Sequence, residues 1–462
     1  MNRFAVILAA GKGTRMKSLN PNISKVSFPI LGKPMVEYVL DALSKLNLDE
    51  IVTVVGFGGE RTKEIVEPRS KVVWQNEQKG TGHAVMMAES VLSEKEGETI
   101  ICCGDTPLLT EKTLSALLSS HETNHNDLTL MTAIFDDPHG YGRIVKKAGR
   151  VIKIVEQKDC SLKEEAIHEV NAGVYVFDNK ELFRCLKDLT PNNAVGEYYL
   201  TDVIAMFVQK GKKVNSFAVS DARETMGVND RYALSEAEKI LRHRINKSLM
   251  LSGVSMEDPD TTYIGPEVSV GQDTVIRPGT IILGKSTIGK NNIIGPNTYL
   301  EKVYVGDENR IEYSHIVDCV IGSKNVLGPY LRARNQAVIG DNALIGNFNE
   351  LKNATIGDGT FCSHLSYLGD VKVGDNVNVG CGVIVANYDG VNKFESQIQD
   401  GAFVGSGSIL VSPVNVGEKS LVAAGSVITK DVPPHAMGIA RGKQENKEDY
   451  ADVYRKKAES KK

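Results

Sequence analysis

The chain is 462 residues long and 24% charged, with a formal net charge of −4. That length exceeds one ordinary core and implies at least two domains of roughly 100 to 200 residues. The near-balanced charge gives no electrostatic footprint for nucleic acid or for a polybasic membrane contact, which leaves small-molecule chemistry or protein association.

The opening "MNRFAVILAAGKGTR" has an apolar run only from Phe4 to Ala10. Lysine and arginine stand where a signal peptide would carry its small-residue cleavage site, so the segment reads as a buried strand. Through about residue 229, apolar runs such as "FAVILAA", "EIVTVVGF" and "TIICCGD" alternate with helix-period stretches such as "MVEYVLDALSKL" and "TGHAVMMAESVL". This is the pattern of parallel βαβ units.

Within that half, "LAAGKGTRM" sets a glycine loop after the first strand, where ligands bind in open parallel sheets. The loop lacks the third glycine of a dinucleotide fingerprint and the Gly-Lys-Ser/Thr ending of a P-loop. Arg15 and, ten residues on, Lys25 are cations that could neutralise a triphosphate held by backbone N–H groups.

Next, "DRYALSEAEKILRHRINKSLML" places Leu234, Ala237, Leu241, Ile245 and Leu249 at spacings of three and four, with Asn229 or Asp230 as the cap. One long connecting helix is expected over 230–252. From about 253 the chain turns to pairs such as Ile264-Gly265, Val270-Gly271, Ile288-Gly289, Ile321-Gly322 and Ile339-Gly340, with glycines at multiples of six inside each block. A hexapeptide period indicates a parallel β-helix: one aliphatic per hexad fills the prism, while Gly, Asn and Asp take the corner conformations. At about 18 residues per coil, the segment to about residue 430 gives roughly nine or ten coils.

The rhythm slips around "FCSHLSYLGD". Glycines fall at 357, 369, 374 and 380, and no further aliphatic-glycine hexad comes before Val404-Gly405. The prism is expected to yield near Leu368-Gly369, and residues 383–403 to contain a loop leaving it, the usual way a solenoid builds a binding face. His364 there keeps company with Arg332, Arg334, Lys352, Tyr367, Asn378, Asn387, Tyr388, Ser406 and Arg441. Lys352, Tyr367, Asn387 and Ser406 recur at close to one-coil spacing and are expected along one edge, at heights about 4.8 Å apart. Histidine, with an ordinary pKa of about 6.5, suits a general base. His121, His125 and His315 read as structural or exposed. After Arg441 the lysine-rich tail reads as solvated.

No run approaches the roughly 20 apolar residues that span a bilayer. The seven cysteines show neither metal-ligand spacing nor a disulfide framework, which fits a reducing cytoplasm.

The strand, GxGTRM and downstream lysine resemble the sugar-nucleotidyltransferases. Further motifs extend the likeness: "QNEQKGTGHA" at 75–84, "GDTPLL" at 104–109, "GYGRIV" at 140–145, "VEQKD" at 155–159, "NAGVYVF" at 171–177, "NNAVGEYYLTD" at 192–202 and "GVNDR" at 227–231. With the hexapeptide half, they resemble over nearly the whole chain the bacterial bifunctional N-acetylglucosamine-1-phosphate uridyltransferase and glucosamine-1-phosphate acetyltransferase family.

The resemblance implies an α/β chain: a Rossmann-like nucleotidyltransferase domain over 1–229, the linker helix over 230–252, a left-handed parallel β-helix over 253–440 and a tail over 441–462. It implies acetyl transfer from acetyl-CoA to glucosamine 1-phosphate, then transfer of uridylyl from UTP to N-acetylglucosamine 1-phosphate with release of pyrophosphate. In the first domain it assigns Leu8, Ala9, Ala10, Gly11 and Gly13 to the nucleotide loop and Arg15 and Lys25 to catalysis. Gln75, Gly80 and Thr81 fall to uracil, Gly142, Glu156 and Asn171 to the acetamido sugar, and Asp105 with Asn229 to Mg²⁺. In the β-helix, His364 is the base; Arg334, Lys352, Tyr367 and Asn378 hold glucosamine 1-phosphate; Cys381, Asn387, Tyr388, Ser406, Ala424 and Arg441 meet acetyl-CoA. A homotrimer is implied. The chain departs from the family pattern at Ser27, Phe28, Lys79, Cys103 and Cys381, and has "RARN" in place of Arg-Leu-Arg-Pro. Two other readings are a single-activity nucleotidyltransferase with a structural or regulatory β-helix, and a scaffold with neither activity.

Overall fold

The computed structural model describes residues 2–20, 22–193 and 195–461. It divides into two compact units, Met1–Arg244 and Ile245–Lys462, and the division falls inside the helix Arg231–Leu251. Asp230 is that helix's cap: its Oδ1 accepts from Ala233 N at 2.8 Å. Asn229 is thereby left for other work.

The first unit is built on a nine-stranded sheet. Its main path runs Val214–Ala218, Leu128–Ile134, Glu169–Asp178, Glu98–Cys103, Arg3–Ala9, Glu50–Val55 and Lys71–Trp74. Arg3–Ala9 pairs in parallel with both Glu50–Val55 and Glu98–Cys103, as the βαβ pattern requires. Glu169–Asp178 departs from that expectation and runs antiparallel to both neighbours. It is reached through the hairpin Arg143–Lys147/Arg150–Val155, without the long crossover that a parallel return needs. The apolar faces of the sheet bury two clusters, one with Val6, Val52, Ile101 and Phe177, the other with Ile7, Val39, Ile100 and Val176.

The second unit is a parallel β-helix. Eleven short strands stack from Ser255–Met256 to Met437–Gly438, and the other two faces merge into a fifteen-stranded sheet. Aliphatic side chains point inward from each coil, giving a continuous core through Ile264, Ile282, Leu300, Ile316, Ala333, Leu351, Leu368, Val385 and Leu410.

Some of the repeating glycines have positive φ, as Gly295 and Gly328 do, but those that follow the inward aliphatic at the aspartate corner do not. Positive φ belongs to Asp273, Asn291, Glu308, Lys324, Asn342 and Asn376, among others, whereas Gly289, Gly322, Gly340, Gly357 and Gly374 are absent from that set. These glycines are demanded by close approach: a Cβ on Gly340 would fall on the Asp358 carboxylate of the next coil. That carboxylate accepts from Asp341 N at 2.7 Å, and Asp341, Asp375 and Asp400 repeat the arrangement.

The prism does not yield at Leu368-Gly369. Tyr367–Val373 is an unbroken strand paired with Glu350–Ile356. Gly369 makes room for the Tyr367 hydroxyl, which occupies the place of its absent Cβ. The excursion comes later, where Tyr388 and Lys393 bridge antiparallel at the neck of a loop.

Candidate active sites

In the first unit the cluster forms at the C-terminal ends of the parallel strands. Gly104 N donates to Leu8 O at 2.9 Å, bringing Asp105 beside the loop that follows Ala9. Gly13 has φ of 59°, and a Cβ there would lie 2.6 Å from Lys25 Cβ; glycine lets the loop turn left-handed with the lysine directly beneath it. Lys25 Nζ pairs with Asp105 and donates to Asn229 Oδ1 at 3.1 Å, while Arg15 donates to the same oxygen at 2.8 Å. Val228 N donates to Asp105 O at 2.8 Å, which fixes the loop carrying Asn229 just before the long helix. Residues far apart in sequence thus meet as two cations, a carboxylate and an amide oxygen.

The carboxylate of Asp105 and the oxygen of Asn229 converge on one ammonium, so both reach a single cationic centre. Two hard oxygen donors fit a divalent cation that would complete its shell from phosphate and water. Among the described residues no cluster of three or more His, Cys, Asp or Glu side chains provides an all-protein metal cage. Beside them, the Cys103 thiol is pushed up to about 12 by burial and by Asp105, and stays protonated.

The other residues expected to bind substrate in this unit lie on further segments. Gln75 is buried just past Lys71–Trp74, with its amide nitrogen 3.1 Å from Gly80 O and 2.9 Å from His83 Nδ1. Thr81 Oγ1 accepts from Leu200 N at 3.0 Å, tying this segment to the motif at 192–202, of which Ala194 lies outside the described residues. Asn171 sits at a register shift in its strand; its Nδ2 donates to the buried Tyr175 hydroxyl at 2.7 Å and its backbone N to Gly142 O at 2.8 Å. A Cβ on Gly142 would lie 3.5 Å from the carboxylate oxygens of Glu156. Burial raises the Glu156 pKa, with Asp202 and Asp159 adding to it against the Thr201 hydrogen bond.

In the β-helix the register separates residues expected along one edge. Lys352 stacks between Arg334 and Gly369, while Tyr367 stacks between Glu350 and Ile384. His364 pairs with Asn347, and two residues past the pairs Cys362–Val379, Val379–Val404 and Val404–Val422 the same column continues through Cys381, Ser406 and Ala424. Ser406 therefore belongs with His364, one corner away from Lys352. Sequence spacing misleads here because the coil lengthens: Phe361 to Asn378 is 17 residues, whereas Asn378 to Phe403 is 25.

His364 is exposed, and its Nδ1 lies 2.9 Å from Asn347 Oδ1, which leaves Nε2 for a substrate. Gly407 N donates to Cys381 O at 2.7 Å, Gly425 N to Ser406 O at 2.8 Å and Arg441 Nη1 to Ala424 O at 2.9 Å, locking the column rung by rung. Tyr388 is exposed on the loop, and Asn387 donates to Asp370.

One groove is lined by Arg334, Lys352, Asn353, Asp370 and Lys393. Arg334 pairs with Glu350, yet its buried Nε has no hydrogen-bond partner. Sequence reading missed Lys393; its only signal was a lysine inside the expected loop. Asn378 lies on a different face, between Phe361 and Phe403 in the eleven-stranded sheet.

Against known proteins, the nucleotidyl transferase family matches residues 4–232 and the bacterial transferase hexapeptide family (six repeats) matches residues 267–302. The chain is 51% identical to the bifunctional protein GlmU of Exiguobacterium sp. (strain AT1b), over 97% of this chain and 99% of that protein. It is 50% identical to the bifunctional protein GlmU of Geobacillus sp. (strain WCH70), over 98% of each. With the bifunctional protein GlmU of Listeria monocytogenes serovar 1/2a it shares 46% identity over 97% of this chain and 98% of that one.

Proposed function

The chain belongs to the GlmU family of bifunctional proteins, and on that premise we propose how its own residues divide two reactions between the two units. The protein is an acetyltransferase and a uridyltransferase that makes UDP-N-acetylglucosamine, a precursor for cell-wall synthesis. Acetyl-CoA acylates glucosamine 1-phosphate; UTP then uridylylates the N-acetylglucosamine 1-phosphate, releasing pyrophosphate.

For acetyl transfer, Nε2 of His364 takes a proton from the substrate ammonium, and the freed amine attacks the thioester carbonyl. Asn347 holds the ring in the orientation that presents Nε2. Arg334, Lys352 and Lys393 receive the sugar phosphate, with the unpartnered Arg334 Nε–H among the available donors. Tyr367 contacts the sugar. Acetyl-CoA runs along Cys381, Ser406, Ala424 and Arg441, with Asn387 and Tyr388 on the loop side, and a donor near Ser406 stabilises the tetrahedral oxyanion. Asn378 faces elsewhere on its own chain, which favours a homotrimer in which a neighbouring copy supplies it.

For uridylyl transfer, the loop from Leu8 through Gly13 lies against the triphosphate while Arg15 and Lys25 neutralise it. Gln75, Gly80 and Thr81 receive uracil, and Gly142, Glu156 and Asn171 the acetamido sugar. Asp105 and Asn229 would hold a divalent cation, for which Mg²⁺ suits the oxygen donors; when bound it supplies positive charge at the reacting phosphate. The protein's share is alignment and charge neutralisation for an in-line attack. All seven cysteines are free thiols, in keeping with a cytoplasmic enzyme.

The observation that carries the bifunctional reading is the His364 column, because a β-helix serving only assembly needs no Asn-oriented exposed imidazole beside stacked coil edges. The test measures CoA release with glucosamine 1-phosphate and pyrophosphate release from UTP, in wild type and His364→Ala. CoA release should fall by at least about a hundredfold, the usual contribution of a general base, with pyrophosphate release unchanged. Loss of both activities would assign His364 to folding or assembly instead.

A further inference from the structure

Gln75 holds its amide nitrogen between two groups, Gly80 O at 3.1 Å and His83 Nδ1 at 2.9 Å. A carbonyl oxygen can only accept, so Gly80 fixes which end of the carboxamide faces inward. The second hydrogen on that nitrogen then requires an acceptor at His83 Nδ1, a neutral imidazole with its proton on Nε2. Gln75 Oε1 is left over as an acceptor. Uracil offers a donor at N3–H, whereas N3 of cytosine carries no hydrogen and only accepts.

We propose that His83 is a positioning residue for nucleobase choice: by holding the Gln75 carboxamide with its oxygen toward the base, it selects uridine over cytidine triphosphate. The inference rests on reading Gln75 as the base contact.

The surroundings of the ring keep it neutral. Burial and the Lys79 ammonium hold the His83 pKa below the ordinary histidine value, against the opposing pull of Glu77. The other titratable groups around it are Glu89, Lys187 of the helix Asn179–Lys187, which pairs with Glu89 at 3.3 Å, and Tyr198, whose ring centre is 6.3 Å away. Protonated His83 would set N–H against N–H. The carboxamide would then lose one of its two anchors, and its oxygen would be held toward the base by Gly80 alone, which weakens the preference for the N3–H of uracil.

The test is kcat/KM for UTP and for CTP by pyrophosphate release, using the full chain, across mildly acidic to neutral pH. His83→Ala should lower the UTP:CTP ratio about tenfold, chiefly by raising KM for UTP, on the scale of one mis-set hydrogen bond. His83→Asn, whose Oδ1 can accept in place of Nδ1, should restore the ratio. The wild-type ratio should fall as pH drops through the lowered pKa of His83, while that of His83→Asn stays flat. An unchanged ratio in His83→Ala overturns the proposal if Gln75→Ala lowers it. If Gln75→Ala leaves it unchanged too, the base-contact reading has failed and takes the proposal with it. Equal losses for UTP and CTP in both His83 variants would make the residue merely structural and also overturn it.

Discussion

Glu98 begins the strand that ends beside Asp105, and its Oε2 is buried without a hydrogen-bond partner. Burial, reinforced by Glu122 and opposed by Arg3, pushes its pKa up to about 7, while burial lowers that of His121 to about 4. The 3.7 Å contact between them is therefore a protonated carboxyl beside a neutral ring near pH 6, not an ion pair. A carboxyl whose folded pKa is raised destabilises the fold progressively as pH climbs from its unfolded value, about 4.5, to about 7, and then by a constant amount. Glu98→Gln should accordingly stabilise the first unit by about 3 kcal/mol at pH 8 and by little at pH 5. Thermal melts of both proteins at the two pH values check this; an equal difference at both would refute the buried-carboxyl account. None of it was legible in "GETIICCGD", because a strand-end glutamate looks the same in sequence whether solvated or enclosed. Lys25 and Asp105 were legible as residue types after a glycine loop and a strand. Their meeting with Asn229 was legible only through the family resemblance, because no local periodicity links Lys25 to a residue some two hundred positions away.

At the scale of the coil, the aliphatic-glycine period marks a β-helix, and corner conformation accounts for the asparagines, the aspartates and glycines such as Gly295 and Gly328, but not for the glycines of the Gly340 column. What excludes a side chain at Gly340 is the Asp358 carboxylate of the following coil, and the left-handed corners go to Asn342 and its stacked neighbours. Gly340→Ala should destabilise the solenoid by about 1–3 kcal/mol, the range for overpacking at a fixed contact. Asp358→Ala should cost about 1 kcal/mol through loss of one exposed hydrogen bond. In the double variant the effects should be less than additive, since the clash is gone, and a double-mutant cycle on thermal stability measures the difference. A simple sum would mean that the carboxylate is not what the glycine accommodates. Side-chain ladders also run inside the prism: Asn309 Nδ2 donates to Asn292 Oδ1 and Asn325 Nδ2 to Asn309 Oδ1, each at 3.0 Å. The sequence concealed this ladder, since asparagine reads as a turn residue whether it faces solvent or a neighbouring coil.

Over the whole β-helix each coil contacts its neighbours, so coils away from the site are interchangeable in a way that those carrying it are not. Tyr299 and His315 occupy the same register position, and removing 299–314 would set Asn325 above Asn292 with the ladder intact. That deletion should lower thermal stability yet leave CoA release within about threefold of wild type, because Arg334, Lys352, His364 and Ser406 keep their neighbours. Removing 367–383, equally in register through Tyr367 and Ile384, should abolish CoA release because it deletes Tyr367 and the Cys381 rung. Activity and melting curves for the two deletions separate the cases; loss of activity in both would show that the site depends on coils beyond its own. The presence of a loop past residue 383 was legible from the missing hexads, but its effect on which residues share a column was not, since one inserted segment shifts every count after it.

The aspartate corner also gives the solenoid a direction in time. From Asp307 to Asp400, each carboxylate closes a backbone N–H of the coil made before it. During synthesis from the N-terminus, the newest coil at this corner is always the unfinished one, waiting for residues still to be made. The chain resolves that debt without another hexad: Glu418 N, at this corner in the last coil, turns back to Gln399 Oε1 at 3.0 Å, and Pro434 packs over Gly417 where a further coil would otherwise stand. A ribosome that stalled before residue 400 would therefore release a solenoid with Asp375 N open at its growing end, a natural place for a chaperone or a second chain to add on.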